Sequence, residues 1–270
     1  MFEEQAEKYD FSYVPIWGNH DRHGIYSPNW LARKFKNSKH CIYIELNDDL
    51  YGRSNFVINL MGNDKVQWQL SHIDSGASFS ESSLSPFRDY DYIRKDQTDW
   101  YVKENELTGN VPVIAYYHIP QQDNLVAFNE RKEKGYKNKF FKLEGFGDNG
   151  NEKYASDFIK TAKDHNLKGA FMGHAHNVDW TVDYDGVVMG LGVKTGPELY
   201  YAHIDPNSGR EDMKEGLASL SKPINEKFDL IGASLVTLTE ETNYVSGAFN
   251  LEHLYLNERK TGDFISWQEW

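Results

Sequence analysis

Apolar and polar positions along this chain alternate with the spacing of strands in some blocks and of helices in others. Short, nearly continuous apolar runs are typical of buried strands, and they predict strands at residues 13–17, 41–46, 56–60, 67–73, 111–117 and 169–172. Apolar residues at helical spacing predict helices at residues 2–9 and 152–165. An acidic, capped start predicts another helix at residues 96–105. Beyond residue 173, period-two alternation predicts further strands at residues 181–191, 231–238 and 244–256, the first of them broken by a turn at Asp185-Gly186.

This order of elements predicts the fold class. Strands that alternate with helices up to about residue 172, followed mainly by strands, favour an α/β domain of packed sheets with helices outside. Because the sequence shows no internal repeat and no long low-complexity linker, we predict a single domain over residues 1–270. The polar stretch 121–150 is predicted to be a solvated loop excursion, with a lid over a substrate as the alternative.

Composition narrows the classes of function. The 41 acidic and 29 basic residues give a net charge of -12, which argues against a nucleic-acid-binding surface. The chain has no apolar run long enough for a membrane-spanning helix and no signal-peptide pattern at its acidic start, so the sequence as written predicts a cytoplasmic protein. A single cysteine, Cys41, excludes a disulfide framework and a cysteine-rich zinc site, whereas 10 histidines leave a metal held by nitrogen and oxygen ligands open.

Three polar motifs carry the candidate chemistry, and each directly follows a short predicted strand. They are Gly18-Asn19-His20-Asp21, His118 with Ile119-Pro120, and Gly173-His174-Ala175-His176. Ligands of α/β sheets gather beyond the carboxyl ends of the strands, and in an extended segment His174 and His176 point to the same side. A single histidine at a strand end is more often a structural residue, but the three motifs together favour a metal site.

These motifs resemble the last three motifs of the calcineurin-like metallophosphoesterases. The branch of this family that resembles this chain most is the one that contains the purple acid phosphatases. The segments that carry this resemblance are 73–76, 97–100, 117–120 and 192–196. The resemblance implies a metallophosphoesterase-type β-sandwich flanked by helices, in four layers of the order α/β/β/α. It also implies hydrolysis of a small phosphorylated substrate, a phosphate mono- or diester, by metal-activated water.

The resemblance further implies a role for each matching residue. Asn19, His118 and His174 would bind one divalent ion, and His176 would bind a second. His20 would contact the phosphoryl oxygen and protonate the leaving group, with Asp21 orienting it. Asn19 and His20 would also contact the substrate, for which His23 is a weaker candidate. A complete family member holds two divalent ions, and Mn, Fe or Zn suits the imidazole and amide ligands.

The sequence departs from the family at its beginning. Family members carry a D-x-H motif and then a G-D-x-x-D motif upstream of G-N-H-D, and neither stands before Gly18. We therefore expect the N-terminal strands of the fold to be missing and activity to require a complete chain, whose full-length parent could be secreted or membrane-attached. The alternatives are a catalytically inactive, phosphoesterase-like binding protein with half a metal site, and a hydrolase that uses one metal ion.

Overall fold

The computed structural model describes most of the chain and defines its helices and strands. The described residues are 2–22, 25–45, 49–79, 89–142, 145–146, 155–195, 203–210, 214, 217–218, 228–229, 231–239, 249–258 and 263–269. The helices are α1 (Phe2–Tyr9), α2 (Pro28–Asn37), α3 (Lys95–Leu107), α4 (Gln122–Lys134) and α5 (Phe158–Asp164), with a short 3-10 turn at His20–Arg22. The strands are β1 (Phe56–Gly62), β2 (Lys65–His72), β3 (Ser78–Phe79), β4 (Asp89–Tyr90), β5 (Val113–Tyr116), β6 (Asn138–Lys142), β7 (Leu167–Met172), β8 (Val178–Tyr184), β9 (Val187–Leu191), β10 (His203–Ile204), β11 (Phe228–Asp229), β12 (Gly232–Leu238), β13 (Phe249–Glu258) and β14 (Asp263–Glu269).

A seven-stranded mixed sheet forms the centre of the fold, with strand order β1-β2-β5-β7-β9-β8-β6. Its four middle strands, β2, β5, β7 and β9, run parallel to one another, whereas the pairs toward both edges are antiparallel. Val113, Ile114 and Ala115 of β5 are fully buried, because a central parallel strand is covered on both faces. This burial explains the continuous apolar run that predicted the strand.

Helices cover one face of the central sheet and a second sheet covers the other. On the helical face, Tyr101 of α3 packs edge-to-face on Phe158 of α5, with ring centroids 5.3 Å apart. On the opposite face, the three-stranded sheet β12-β13-β14 contacts the central sheet through Phe249, whose ring lies 6.4 Å from Trp68 and 6.1 Å from Phe171. The predicted α/β sandwich with helices outside is confirmed, and the described residues form three of its four predicted layers.

Buried polar residues also join the two sheets. Nδ1 of His253 on β13 lies 3.0 Å from both carboxylate oxygens of Asp179 on β8, and its Nε2 lies 3.1 Å from the Thr181 hydroxyl. All three residues are almost completely buried. Polar groups at such depth are stable only when they are paired, so this contact fixes the second sheet on the first.

Most of the predicted elements are present. Strands at 56–60, 67–73, 111–117 and 169–172 and the helix at 96–105 appear within a few residues of their predicted bounds. Residues 181–191 form a β-hairpin that turns at Asp185 (φ 51°) and Gly186 (φ 88°), as predicted. Residues 231–238 correspond to β12, and the predicted strand at 244–256 begins at Phe249, since residues 244–248 lie outside the described part of the chain.

Two predicted strands near the beginning do not form ladders. Within the described residues, 13–17 and 41–45 are joined by a single parallel bridge between Tyr13 and Cys41. Pro15 lacks the N–H group that a ladder at this segment would need. The segment nevertheless leads to Gly18 and Asn19 at the edge of the central sheet, where Asn19 contacts His118.

The structure corrects the expectation of a solvated loop over residues 121–150. Helix α4 fills much of that stretch and ends at Gly135, which adopts the left-handed conformation (φ 67°). Strand β6 follows and pairs with β8 at the edge of the central sheet. On α4, Asn124 and Ala127 are buried and Phe128 packs on Trp180. Leu125 and Val126 are exposed, so the apolar residues of the helix do not follow a clear helical pattern.

The predicted helix at 152–165 is shorter than expected. It begins at Phe158, and residues 151–154 lie outside the described part of the chain. No helix among the described residues is long and apolar enough to cross a membrane.

Candidate functional site

The candidate site lies at the carboxyl ends of the parallel strands of the central sheet. Strands β2, β5 and β7 are neighbours and run in the same direction, so their carboxyl ends meet at one edge. Asp74 and Ser75 follow β2, His118 follows β5, and His174 follows β7. The topology therefore brings together residues that are far apart in the sequence.

Asn19, His118 and His174 form the centre of the site. The amide oxygen Oδ1 of Asn19 lies 2.8 Å from Nε2 of His118 and 3.2 Å from Nδ1 of His174. The two imidazole rings meet edge-to-face with centroids 5.2 Å apart. Asn19 is buried, with 6% of its surface exposed. The three residues predicted to share one metal ion are thus in contact through one oxygen and two nitrogen atoms.

Glycines allow the backbone to approach this cluster. A Cβ atom on Gly18 would lie 3.0 Å from Cε1 of His118, and one on Gly173 would lie 3.4 Å from Nδ1 of the same ring. Next to Gly173, His174 has a φ of 76°, a left-handed conformation that residues other than glycine seldom adopt. Such backbone conformations persist where the surrounding structure enforces them, and they are frequent at functional sites.

Ser75 supports His118 from the neighbouring strand end. Its hydroxyl oxygen accepts hydrogen bonds from the backbone N–H groups of His118, at 3.2 Å, and Ile119, at 2.8 Å. Both groups lie just beyond Tyr116, where the pairing of β5 with β2 and β7 ends. The serine therefore fixes the backbone that carries the His118 ring.

Burial controls the protonation of His118. Its pKa falls from 6.5 to about 3, chiefly because the ring is buried and secondarily because His174, His20 and His176 disfavour another positive charge nearby. The imidazole is therefore neutral near pH 7. A neutral imidazole is the form that binds a metal ion.

The remaining predicted site residues surround this centre. His20 is exposed on the 3-10 turn, and its ring centroid lies 6.3 Å from that of the partly buried His176. The Asp21 carboxylate accepts the backbone N–H of Gly18 at 2.7 Å, which closes the turn. The role of Asp21 in orienting the His20 ring stays a prediction. His23 lies outside the described residues.

Two neighbours of the site were not predicted from the sequence as functional residues. Arg22 makes an ion pair with Asp74, in which Nη2 lies 3.1 and 2.9 Å from the two carboxylate oxygens. The Tyr90 ring packs edge-to-face on His174 with centroids 4.3 Å apart. The position of Arg22 directly after Gly18-Asn19-His20-Asp21 was a usable signal, but no local pattern marks Tyr90.

The side-chain atoms that meet at this site determine which metal ion it could bind. The described residues contain no group of three or more histidine, cysteine, aspartate or glutamate side chains that could hold a metal. The cluster at the strand ends instead offers two imidazole nitrogens and an amide oxygen. These donors fit a borderline divalent ion such as Mn, Fe or Zn.

Comparison with known proteins points in the same direction. The chain is 24% identical over 215 residues to an Arabidopsis thaliana protein named "Probable inactive purple acid phosphatase 29". The match covers 70% of this chain and 51% of that protein, so this chain spans about half the length of the curated relative it matches. No family model matches the chain. The likeness supports a distant relationship to the calcineurin-like phosphoesterases.

Proposed function

We propose that this chain carries part of the active site of a metal-dependent phosphoesterase, which hydrolyses phosphate mono- or diesters. The observation that supports this proposal is the convergence of Asn19 Oδ1, His118 Nε2 and His174 Nδ1 at the carboxyl edge of the sheet. The distant likeness to a purple acid phosphatase points to the same class of chemistry.

In this proposal the three central residues hold one divalent ion, and His176 is a ligand of a second ion. A bound ion of this kind polarises a phosphoryl oxygen and lowers the pKa of water toward neutrality. Since Asn19 and the rings of His118 and His174 are already in contact, little rearrangement is needed to bring their donor atoms to one point. The neutral state of His118 leaves a nitrogen lone pair available for the metal near pH 7.

His20 is proposed to act on the substrate rather than on the metal. It is exposed beside the buried Asn19, on the turn that the Asp21 carboxylate closes through Gly18. In this position it contacts a phosphoryl oxygen and donates a proton to the leaving oxygen, which is general acid catalysis.

A second candidate is a binding protein that takes up a metal ion or a phosphorylated ligand without hydrolysing it. The Arabidopsis relative is named as probably inactive, and this chain spans about half of its length. Under this alternative, Asn19, His118 and His174 form half of a two-metal site.

One experiment separates these proposals. The purified chain is titrated with Mn²⁺ and Zn²⁺ and then assayed with p-nitrophenyl phosphate and bis-p-nitrophenyl phosphate against a metal-only control. His174→Ala is compared with His165→Ala, because His165 lies before β7 and His174 lies after it. Metal binding and hydrolysis that only His174→Ala abolishes would support the enzyme.

The other outcomes are equally informative. Hydrolysis above the control by the wild-type chain would contradict the binding protein, which predicts metal or phosphate binding without hydrolysis. Equal metal affinity in wild type and His174→Ala would contradict the proposed ligand set.

A further inference from the structure

The guanidinium of Arg22 lies at the same sheet edge as the candidate metal ligands. Three residues earlier, Asn19 contacts His118 beyond β5, whereas Arg22 contacts Asp74 beyond the adjacent strand β2. The 3-10 turn thus spans the carboxyl ends of two neighbouring parallel strands. The turn begins directly after Asn19 of the candidate metal cluster, and it ends at the positively charged Arg22.

The partner of Arg22 is held in a fixed position. The side chain of Asp74 is completely buried, and its carboxylate also accepts the backbone N–H groups of Arg53, at 2.7 Å, and Gly76, at 2.9 Å. The backbone N–H of Asp74 donates to Asn55 Oδ1 at 3.1 Å. A carboxylate with this many partners has little freedom to reorient, and it therefore determines the direction of the Arg22 guanidinium.

Close backbone packing further restricts Asp74. Gly52 has a φ of 87°, and a Cβ atom there would lie 2.9 Å from Cβ of Asp74. From the other side, Gln97 Nε2 donates to the Asp74 carbonyl oxygen at 2.7 Å. These contacts hold the backbone of Asp74 at the point where its carboxylate meets Arg22.

Arg22 keeps hydrogen-bonding capacity beyond this ion pair. Both of its hydrogen bonds to Asp74 come from Nη2, while Nη1 and Nε carry three more N–H donors. No acceptor for these donors is found among the described residues, and the Arg22 side chain is 36% exposed. A guanidinium that is anchored at one nitrogen and open at the others suits the oxygens of a phosphate group.

We propose that Arg22 is a substrate-binding residue, whose guanidinium, oriented by Asp74, donates hydrogen bonds to non-reacting oxygens of a phosphoryl group at the Asn19-His118-His174 cluster. This inference rests on the proposed function and adds a residue to it. Electrostatics favours such a role, because a chain with a net charge of -12 repels phosphate anions. A local cation at the site offsets that repulsion.

The test is equilibrium binding of inorganic phosphate to the whole chain, measured by calorimetry with and without Mn²⁺. We expect Arg22→Gln to weaken phosphate binding at least about tenfold, since charge-assisted hydrogen bonds are lost. Arg33→Gln is the matched control, because Arg33 is an exposed arginine on α2, and it should bind phosphate as the wild type does. Mn²⁺ affinity should be the same in all three proteins.

Arg22→Lys guards against misfolding of the glutamine variant. Lysine preserves a positive charge opposite the buried Asp74 but lacks the planar fork, so we expect phosphate affinity between those of wild type and Arg22→Gln. Thermal unfolding of each variant identifies any loss of fold. Acetate serves as the second probe, and it should compete with phosphate weakly.

Three results would overturn the inference. They are unchanged phosphate affinity in folded Arg22→Gln or Arg22→Lys, absence of phosphate binding by the wild type at millimolar concentration, and equal competition by acetate. Phosphate binding that depends on Arg22 in a chain whose Mn²⁺ affinity is unchanged by His174→Ala would support the inference and contradict the metal site of the proposed function. The two proposals can therefore fail separately.

Discussion

The amide oxygen of Asn19 lies 2.8 Å from Nε2 of His118, although the two residues are 99 positions apart in the chain. For the oxygen to accept a hydrogen bond here, Nε2 of His118 must carry the proton, so metal binding at Nε2 requires the other neutral tautomer, with the proton on Nδ1. The contact joins the turn after residue 17 to the carboxyl end of β5. Any change that displaces the His118 ring should therefore disturb the whole candidate site.

Gly18→Ala tests this dependence on close approach. The new Cβ atom would lie 3.0 Å from Cε1 of His118, so we expect the ring to shift and the Mn²⁺ affinity to fall at least about tenfold. The free energy of unfolding should decrease by about 1 to 3 kcal/mol, as is typical of overpacking. Metal titration and urea denaturation measure the two effects.

Gly145→Ala is the control for the glycine substitution. Gly145 is exposed, and a Cβ atom there would have no neighbour within 4 Å among the residues that the structure describes. Metal affinity and stability should stay close to the wild-type values. Wild-type metal affinity in Gly18→Ala would show that the His118 ring tolerates displacement and would contradict the prediction.

His20 and His118 should differ in what they contribute. His118→Ala removes a proposed metal ligand and should lower metal occupancy, whereas His20→Ala should leave occupancy unchanged. In a preparation that hydrolyses phosphate esters, His20→Ala should lower kcat by about 10²- to 10⁴-fold, the usual contribution of general acid catalysis. Metal analysis and steady-state kinetics on the same preparations measure the difference, and loss of metal from His20→Ala would refute the assignment.

The sequence predicted those parts of the fold whose pattern is local. Strand β5 was recognisable because both of its faces are buried, which requires an uninterrupted apolar run. Helix α4 was missed because Asn124 and Ala127 are its buried residues while its apolar Leu125 and Val126 are exposed, although Phe128 packs on Trp180. Strand β6 was missed because its sequence, NKFFK, carries two lysines. Such edge elements are stabilised by tertiary contacts that local patterns do not encode.

The candidate site also contains residues that a local sequence pattern reveals and a contact that no local pattern reveals. Asn19, His118 and His174 could be found because each follows a recognisable strand or belongs to a short motif. The contact between Arg22 and Asp74 joins positions 52 residues apart, and no local periodicity relates them. The contact depends on the parallel pairing of β2 and β5, which places the ends of these two strands side by side.

His72 should make stability depend on pH on the acidic side. Its buried ring stacks between Phe56 and Tyr116, and burial lowers its pKa from 6.5 to about 4. Between these values the unfolded chain binds a proton and the native state does not, so stability falls as the pH drops from 6.5 to 4. The loss amounts to at most about 3 kcal/mol.

His72→Phe should remove this part of the pH dependence. Urea denaturation of both proteins is measured from pH 4 to pH 8, and the values at pH 8, where the histidine is neutral in both states, report the change in packing alone. Relative to that baseline, the variant should gain stability over the wild type as the pH falls. Parallel pH profiles for the two proteins would contradict the prediction.

Asp123 should have the opposite pH dependence. Burial, and then the nearby Asp157, raise its pKa from 3.8 to about 6. The native state therefore takes up the proton at a higher pH than the unfolded chain, and the stability present at low pH is lost as the pH rises through 6. Asp123→Asn should increase the free energy of unfolding at pH 8 by up to about 3 kcal/mol.

The pH profile of the asparagine variant contains its own control. At pH 3, where the carboxyl of the wild type is protonated in the native state, asparagine should bring no comparable gain. Asp157→Asn should give a smaller gain at pH 8, because it removes only the nearby like charge and leaves burial, the largest cause of the raised pKa, in place. Equal stabilisation by Asp123→Asn at both pH values would show that the effect is one of packing rather than charge.

The pair of His253 and Asp179 should couple the two sheets energetically. Both side chains are buried, and Nδ1 of His253 lies 3.0 Å from the Asp179 carboxylate oxygens. His253→Leu removes this partner from a buried carboxylate, which should cost about 3 to 5 kcal/mol of stability. Adding Asp179→Asn removes the charge, so the double variant should lose less than the sum of the single losses, by about 1 to 3 kcal/mol.

Urea denaturation of the four proteins in this cycle measures the coupling directly. Glu252→Gln is the control on the same strand, since Glu252 neighbours His253 on β13 and is only partly buried, and its change should stay within about 0.5 kcal/mol. Strict additivity of the two single substitutions would mean that Phe249 and its aromatic neighbours hold the sheets together without help from the polar pair. A measurable coupling would mean that the sandwich is fixed at β8, two residues after His176, where the chain leaves the candidate site.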